Sequence, residues 1–164
     1  MTVGVRGKME IKIQEAEVSD TRLVFELTKR AFQHYNIPSY FPTTPALNET
    51  KEDVRADIKQ RKVLIAYLGT TPVGSVRYYS DNGSDYYLSR LGVLKEYQSQ
   101  NVGRRLVKAV EKRVKEAGGQ TITLYSAYRL KKLMKFYQDL GYKIVKLRDD
   151  PDYTRAVIRK ELET

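Results

Sequence analysis

Apolar and polar positions alternate or recur with a period that changes several times along the chain. Residues 9–16 alternate partly and predict a first strand. Leu23, Val24, Leu27 and Ala31 recur at helical spacing, behind Ser19 or Asp20 as a cap. Residues 35–47 hold Pro38, Pro42 and Pro45 and cannot form a regular helix. Asn48 is a candidate cap for a second helix running to Ile58. Strands are predicted over 62–68, 73–79 and 85–94. The turn between the last two carries Asn82-Gly83, a pair suited to two positive φ angles. Val102, Leu106, Val110, Val114 and Ala117 predict a helix over 102–117 that Gly118-Gly119 ends. A strand at 121–125, a helix at 128–140 stopped by Gly141, and strands at 142–147 and 153–162 complete the chain.

The resulting order is β-α-α-β-β-β-α-β-α-β-β. It implies a mixed α/β (α+β) single domain, with a mostly antiparallel sheet and helices on both faces. The strand–helix–strand step at 85–125 requires a right-handed crossover. Residues 1–8 read as a flexible extension and 9–164 as the domain. With 164 residues the chain suffices for one ordinary core.

Composition narrows the chemistry. There is no cysteine, which excludes disulfides, zinc–thiolate sites and a cysteine nucleophile. One histidine argues against a histidine-rich metal site, so no metal is expected. No apolar run approaches the roughly 20 residues of a membrane span, and the N-terminus lacks the apolar stretch of a signal peptide. A cytoplasmic protein without a membrane partner is the expectation. The formal charge is +10, and residues 98–135 hold ten Lys or Arg against two Glu. That segment therefore suits an anionic partner, a nucleic acid or a phosphorylated cofactor.

The main chemical signal is the strand-to-helix turn within Leu91–Leu106. Backbone N–H groups that open a helix lack internal partners and, with the helix dipole, form an anion site. Gly103 removes a side chain where a diphosphate would approach, and Arg104 and Arg105 supply charged donors. A plain turn with a small residue for close packing is the alternative reading of the same residues.

Gln98-Ser99-Gln100-Asn101-Val102-Gly103 resembles the coenzyme A-binding motif of the GNAT superfamily of N-acetyltransferases, Arg/Gln-x-x-Gly-x-Gly/Ala. Asn101 replaces the central glycine, and asparagine tolerates a positive φ. The stretch FYQDLGY at 136–142 resembles the family's second signature, with Leu130 where an asparagine often stands. The resemblance implies acetyl-coenzyme A as cosubstrate and an amine acceptor, a small molecule or a peptide. It implies cofactor contacts from the backbone of Leu91, Gly92 and Val93 and from Gln98, Ser99, Gln100, Asn101, Val102, Gly103 and Arg104. Tyr137 takes the place of the family's general acid. Tyr35, Tyr40 and Phe41 fall where similar proteins wall the acceptor site, and a homodimer is compatible with the likeness.

Similar proteins often carry a base carboxylate on the strand before the phosphate turn; here Ser89 and Arg90 are the candidates for that place, neither is a carboxylate, and Asp85 lies nearer the hairpin. A water relay is then the expected route for the amine proton, with His34 as the other candidate base. The same residues admit two other functions. One is a basic nucleic-acid-binding module, though the chain carries no helix-turn-helix, zinc-finger or RNA-recognition signature, so no nucleic-acid partner is expected. The other is a coenzyme A-binding regulator without catalysis.

Overall fold

The computed structural model describes residues 10–33, 45–151 and 153–163. The strands are β1 (Ile11–Glu15), β2 (Lys62–Leu68), β3 (Thr71–Ser80), β4 (Asp85–Val93), β5 (Thr121–Ala127), β6 (Lys143–Asp149) and β7 (Thr154–Glu161). The helices are α1 (Thr21–Phe32), α2 (Pro45–Asn48), α3 (Lys51–Gln60), α4 (Val102–Glu116) and α5 (Lys131–Asp139), with 3-10 turns at Val18–Asp20 and Lys95–Gln100. The expected order of elements is present, with the single-turn α2 added.

All seven strands form one sheet in the order β1-β2-β3-β4-β5-β7-β6. Every neighbouring pair is antiparallel except β4–β5, which is joined through α4. Both faces are covered, and β2 shows how. Val63 and Ile65 pack with Val24 and Leu27 of α1 and Val54 of α3. Leu64 and Ala66, on the opposite face, pack with Leu106, Val107 and Val110 of α4. A strand buried on both sides loses the polar alternation of a half-exposed one, which is why KVLIAYL reads as a continuous apolar run.

Three local readings change. Helix α3 is capped by Thr50 and not by Asn48: Thr50 Oγ1 accepts from the Asp53 amide at 3.1 Å, and Asp53 Oδ2 accepts from the Thr50 amide at 2.8 Å. This reciprocal box satisfies two amides at once, which a lone asparagine cannot do. Pro45 opens α2, where its missing N–H costs nothing. At the β3–β4 hairpin only Gly83 has a positive φ, at 77°. Asn82 instead folds its side chain inward, and its Oδ1 accepts from the amides of Ser84 and Asp85, each at 2.9 Å. An Asx-type loop thus replaces the expected turn with two positive φ angles.

Candidate acetyl-transfer site

β4 and β5 pair only at their first residues, Asp85 with Thr121, Tyr86 with Ile122 and Tyr87 with Thr123. Beyond that point no hydrogen-bonded register joins them, and a cleft opens between the strands. Two hollows occupy it. A chamber of about 270 Å³ is lined by Ser89, Arg90 and Leu91 of β4, Ser126 and Ala127 of β5, and Tyr137 of α5. A groove of about 740 Å³ runs from Leu91 and Val93 past the start of α4 to the start of α5. Leu91, Leu130 and Leu133 line both, so the two hollows share one wall.

A bulge shapes the β4 bank. Ser75 of β3 pairs with Gly92 and Arg77 pairs with Ser89, so Arg90 and Leu91 stand together against Val76. Arg90 has φ 55°, a left-handed conformation that a side chain disfavours. Its Nε lies 3.4 Å from Glu49 Oε1, and Glu49 is itself paired with the buried Arg77 beneath the bulge. The sequence gives no sign of this bulge, because nothing in an arginine marks a left-handed position.

The groove suits an anion. Asn101, at the N-cap of α4, has φ 70° and makes no side-chain cap bond. The left-handed turn expected at this asparagine is therefore present, and the opening amides of α4 are not capped by that side chain. Gln98, Ser99, Asn101, Gly103 and Arg104 line the groove. A Cβ added at Gly103 would come no nearer than 3.4 Å to Phe136, so the protein's own packing does not require glycine there. Arg129, Lys131 and Lys132 supply positive charge from the opposite side. These three were legible only as part of the basic surplus over 98–135.

Other expected residues fall differently. Val102 is fully buried in the core, so only its backbone can face the groove. Gln100 is not among the groove's lining residues, and Arg105 turns away, its Nη2 donating to Ile11 O at 3.3 Å. Gln98 Nε2 donates to Val93 O at 3.2 Å and ties the turn to the end of β4. Gly92 answers to packing: a Cβ there would lie 2.7 Å from Phe32 and 3.0 Å from Ala31. Its missing side chain admits α1. Tyr35, Tyr40, Phe41 and His34 lie outside the described residues.

Tyr137 is buried and lines the chamber, its ring edge-on to Phe136 at 5.0 Å and to Tyr142 at 5.9 Å. It is thus both a packed core residue and a wall of the cleft. Asp85 sits at the paired end of β4, where Thr121 Oγ1 donates to it at 2.8 Å and Asn82 Nδ2 at 3.1 Å. Those two bonds hold its carboxyl below the usual range. No Asp or Glu lines the chamber among the described residues. Nor do those residues hold a group of three potential metal ligands, or a helix long and apolar enough to cross a membrane.

The sequence model of the acetyltransferase (GNAT) family matches residues 21–142. The chain belongs to the GNAT acetyltransferase family. It is an acyltransferase that draws on acetyl-coenzyme A, as its two motifs led us to expect. No curated protein sequence matches it. Among solved structures it is similar to the PaiA N-acetyltransferase of Thermoplasma acidophilum in complex with coenzyme A. That pair shares 20% identity over 93% of this chain and 99% of the other, with a TM-score of 0.79. The ribosomal-protein-S18-alanine N-acetyltransferase of Escherichia coli shares 13% identity over 94% and 96%, with a TM-score of 0.78. A GNAT-family acetyltransferase of Streptococcus pneumoniae shares 17% over 94% and 100%, with a TM-score of 0.79. At these identities the likeness is one of fold, and it agrees with the mixed single-sheet architecture.

Proposed function

We propose that this acetyltransferase moves the acetyl group of acetyl-coenzyme A directly to the nitrogen of a primary amine, in a small molecule or a peptide, with Tyr137 as general acid. The observation that carries the reading is the continuity between the amides opening α4 and the splayed β4–β5 cleft, with Tyr137 on its wall. The cosubstrate supplies an activated thioester. Everything else is asked of the chain.

Its diphosphate is assigned to the opening amides of α4, helped by Arg104, Arg129, Lys131 and Lys132. The unpaired edge of β4 beyond Tyr87 offers backbone at Leu91 and Val93 to the pantetheine arm, as a sheet edge does to an added strand. A backbone N–H at the bulge is well placed by sequence order to face the developing oxyanion. In the transfer, a C–N bond forms and the C–S bond breaks. The amine's proton leaves through water, since no carboxylate lines the chamber among the described residues. The Tyr137 phenol gives its proton to the departing sulfur and recovers one from solvent.

Residues 9–164 act in this reading as one catalytic domain in the cytoplasm, with no nucleic-acid or membrane partner. Support for the cosubstrate also comes from a fold neighbour whose structure contains coenzyme A. The test is paired. Acetyl-coenzyme A at millimolar concentration should raise the melting temperature, because a ligand of the folded state stabilises it. An acceptor screen should release free thiol only when enzyme and amine are both present. Absence of both signals refutes the proposal, and a thermal shift without any thiol release favours the non-catalytic regulator.

A further inference from the structure

We infer that the acceptor is an amine carrying a carboxylate beside its nitrogen, read by Arg90 and Arg155 on opposite banks of the chamber. This rests on the acetyl-transfer reading above and names the acceptor class for the same site.

Arg90 lies on the β4 bulge, and Arg155 is the second residue of β7, opposite Ala127 of β5. Both line the chamber, with side chains 29% and 30% exposed, enough to meet a ligand while partly shielded from water. Each is held in place. Arg90 Nε faces Glu49 at 3.4 Å. Arg155 Nε lies 2.9 Å from Asp150 Oδ2, and its Nη2 donates to Tyr153 Oη at 3.4 Å. The Arg155 guanidinium also sits 5.6 and 6.0 Å from the ring centres of Tyr153 and Tyr125. A guanidinium oriented beforehand loses less entropy when it binds a carboxylate, and its fork geometry matches one.

The carboxylates that orient these arginines stand behind them. Among the described residues the chamber lining holds Arg90 and Arg155 and no Asp or Glu. A wall of that kind repels a polyamine or an aminoglycoside but attracts a zwitterion by its acid end.

The experiment measures thiol release at saturating acetyl-coenzyme A. The acceptors are free amino acids, their carboxamides, spermidine and a polycationic aminoglycoside. Free acids should exceed their amides by about tenfold or more in kcat/KM, the least expected of a charge-assisted hydrogen bond. Arg155→Gln should bring that ratio near one while the acetyl-coenzyme A KM stays within about twofold. If Arg155→Gln melts below the assay temperature, Arg90→Gln carries the same test. Preference for amides or polycations, a ratio that survives both variants, or no turnover of any carboxylate-bearing amine overturns the inference. A missing acetyl-coenzyme A thermal shift in the unmodified enzyme would instead mark failure of the underlying transfer reading.

Discussion

Glu49 meets Arg77 edge to edge, with Oε1 2.9 Å from Nη1 and Oε2 2.6 Å from Nη2. Their side chains are only 6% and 1% exposed. Asp57 and Thr28 take further guanidinium hydrogens at 2.9 and 3.3 Å, and Arg77 Nε alone has no partner among the described residues. Burial works against the Arg77 charge, but the hydrogen bonds and charges of Glu49 and Asp57 outweigh it and hold the pKa above its ordinary value. Because Glu49 also faces Arg90, the pair links the core under β3 to the bulge beside the chamber. Removing one partner of a buried pair leaves the other charge stranded, at a cost of about 3–5 kcal/mol. Glu49→Ala should therefore lower the urea unfolding free energy by that order. Activity per folded molecule should fall as well, since the bulge loses its tether. A change within about 0.5 kcal/mol would show that Asp57 alone suffices for Arg77.

Gly103 offers a prediction in which stability and affinity move in opposite directions. It lies in the first turn of α4, and an added methyl meets nothing closer than 3.4 Å. Alanine in place of a helical glycine gains up to about 1 kcal/mol. The same methyl enters the groove assigned to the diphosphate. Gly103→Ala should leave the ligand-free melting temperature equal or higher and weaken acetyl-coenzyme A binding by about tenfold, a 1.4 kcal/mol effect. Calorimetric titration beside a melting curve reads both. Unchanged affinity would mean that the diphosphate does not approach this turn.

The contrast between Asn101 and Arg90 shows what the sequence could reveal. Both adopt a positive φ. At Asn101 the side chain itself tolerates that conformation, and it sits in a turn whose spacing marks a helix start, so the turn was legible. At Arg90 the conformation is imposed by pairing with β3 and by Glu49, a residue 41 positions away. Long-range partners of this kind leave no periodic trace. For the same reason β7 lies between β5 and β6 without a local signal, although both strands were expected. The motif FYQDLGY was legible as a unit, and the structure divides its work. Phe136 lines the groove, Tyr137 the chamber, and Tyr142 the core. The acceptor-side arginines stayed hidden because Arg155 is 65 residues from Arg90, and only the folded sheet sets them across one cleft.

Tyr137 separates binding from chemistry. Its ring packs against Phe136 and Tyr142, and phenylalanine preserves both edge contacts. Tyr137→Phe should keep the fold and the acetyl-coenzyme A dissociation constant. Its kcat should drop by about a hundredfold or more, the lower range for loss of a positioned proton donor. Loss of affinity with kcat intact would assign the phenol to binding and remove it as the acid.

Tyr142 predicts how stability bends with pH. Its hydroxyl donates to Glu111 Oε2 at 2.9 Å inside the core, and Lys160 Nζ reaches the same oxygen at 3.1 Å. Burial first, then the charge and hydrogen bond of Glu111, push the phenol pKa above its usual value. The unfolded chain releases that proton near pH 10, while the folded one retains it. The linked stability is therefore whole below about pH 10 and lost as pH rises beyond it. At the other end, Asp53 and Asp85 have depressed values, Asp53 through the amide and hydroxyl of Thr50, Asp85 through Asn82 and Thr121. Their contribution is present above about pH 4 and fades as pH falls through their folded values. Tyr142→Phe should cost about 1.5–3 kcal/mol at pH 7, as loss of a bond to a charged acceptor. It should also flatten the alkaline limb while leaving the acid limb in place. Unfolding curves across the pH range decide the matter: if mutant and parent run parallel above pH 10, the phenol's proton is not what the folded core retains.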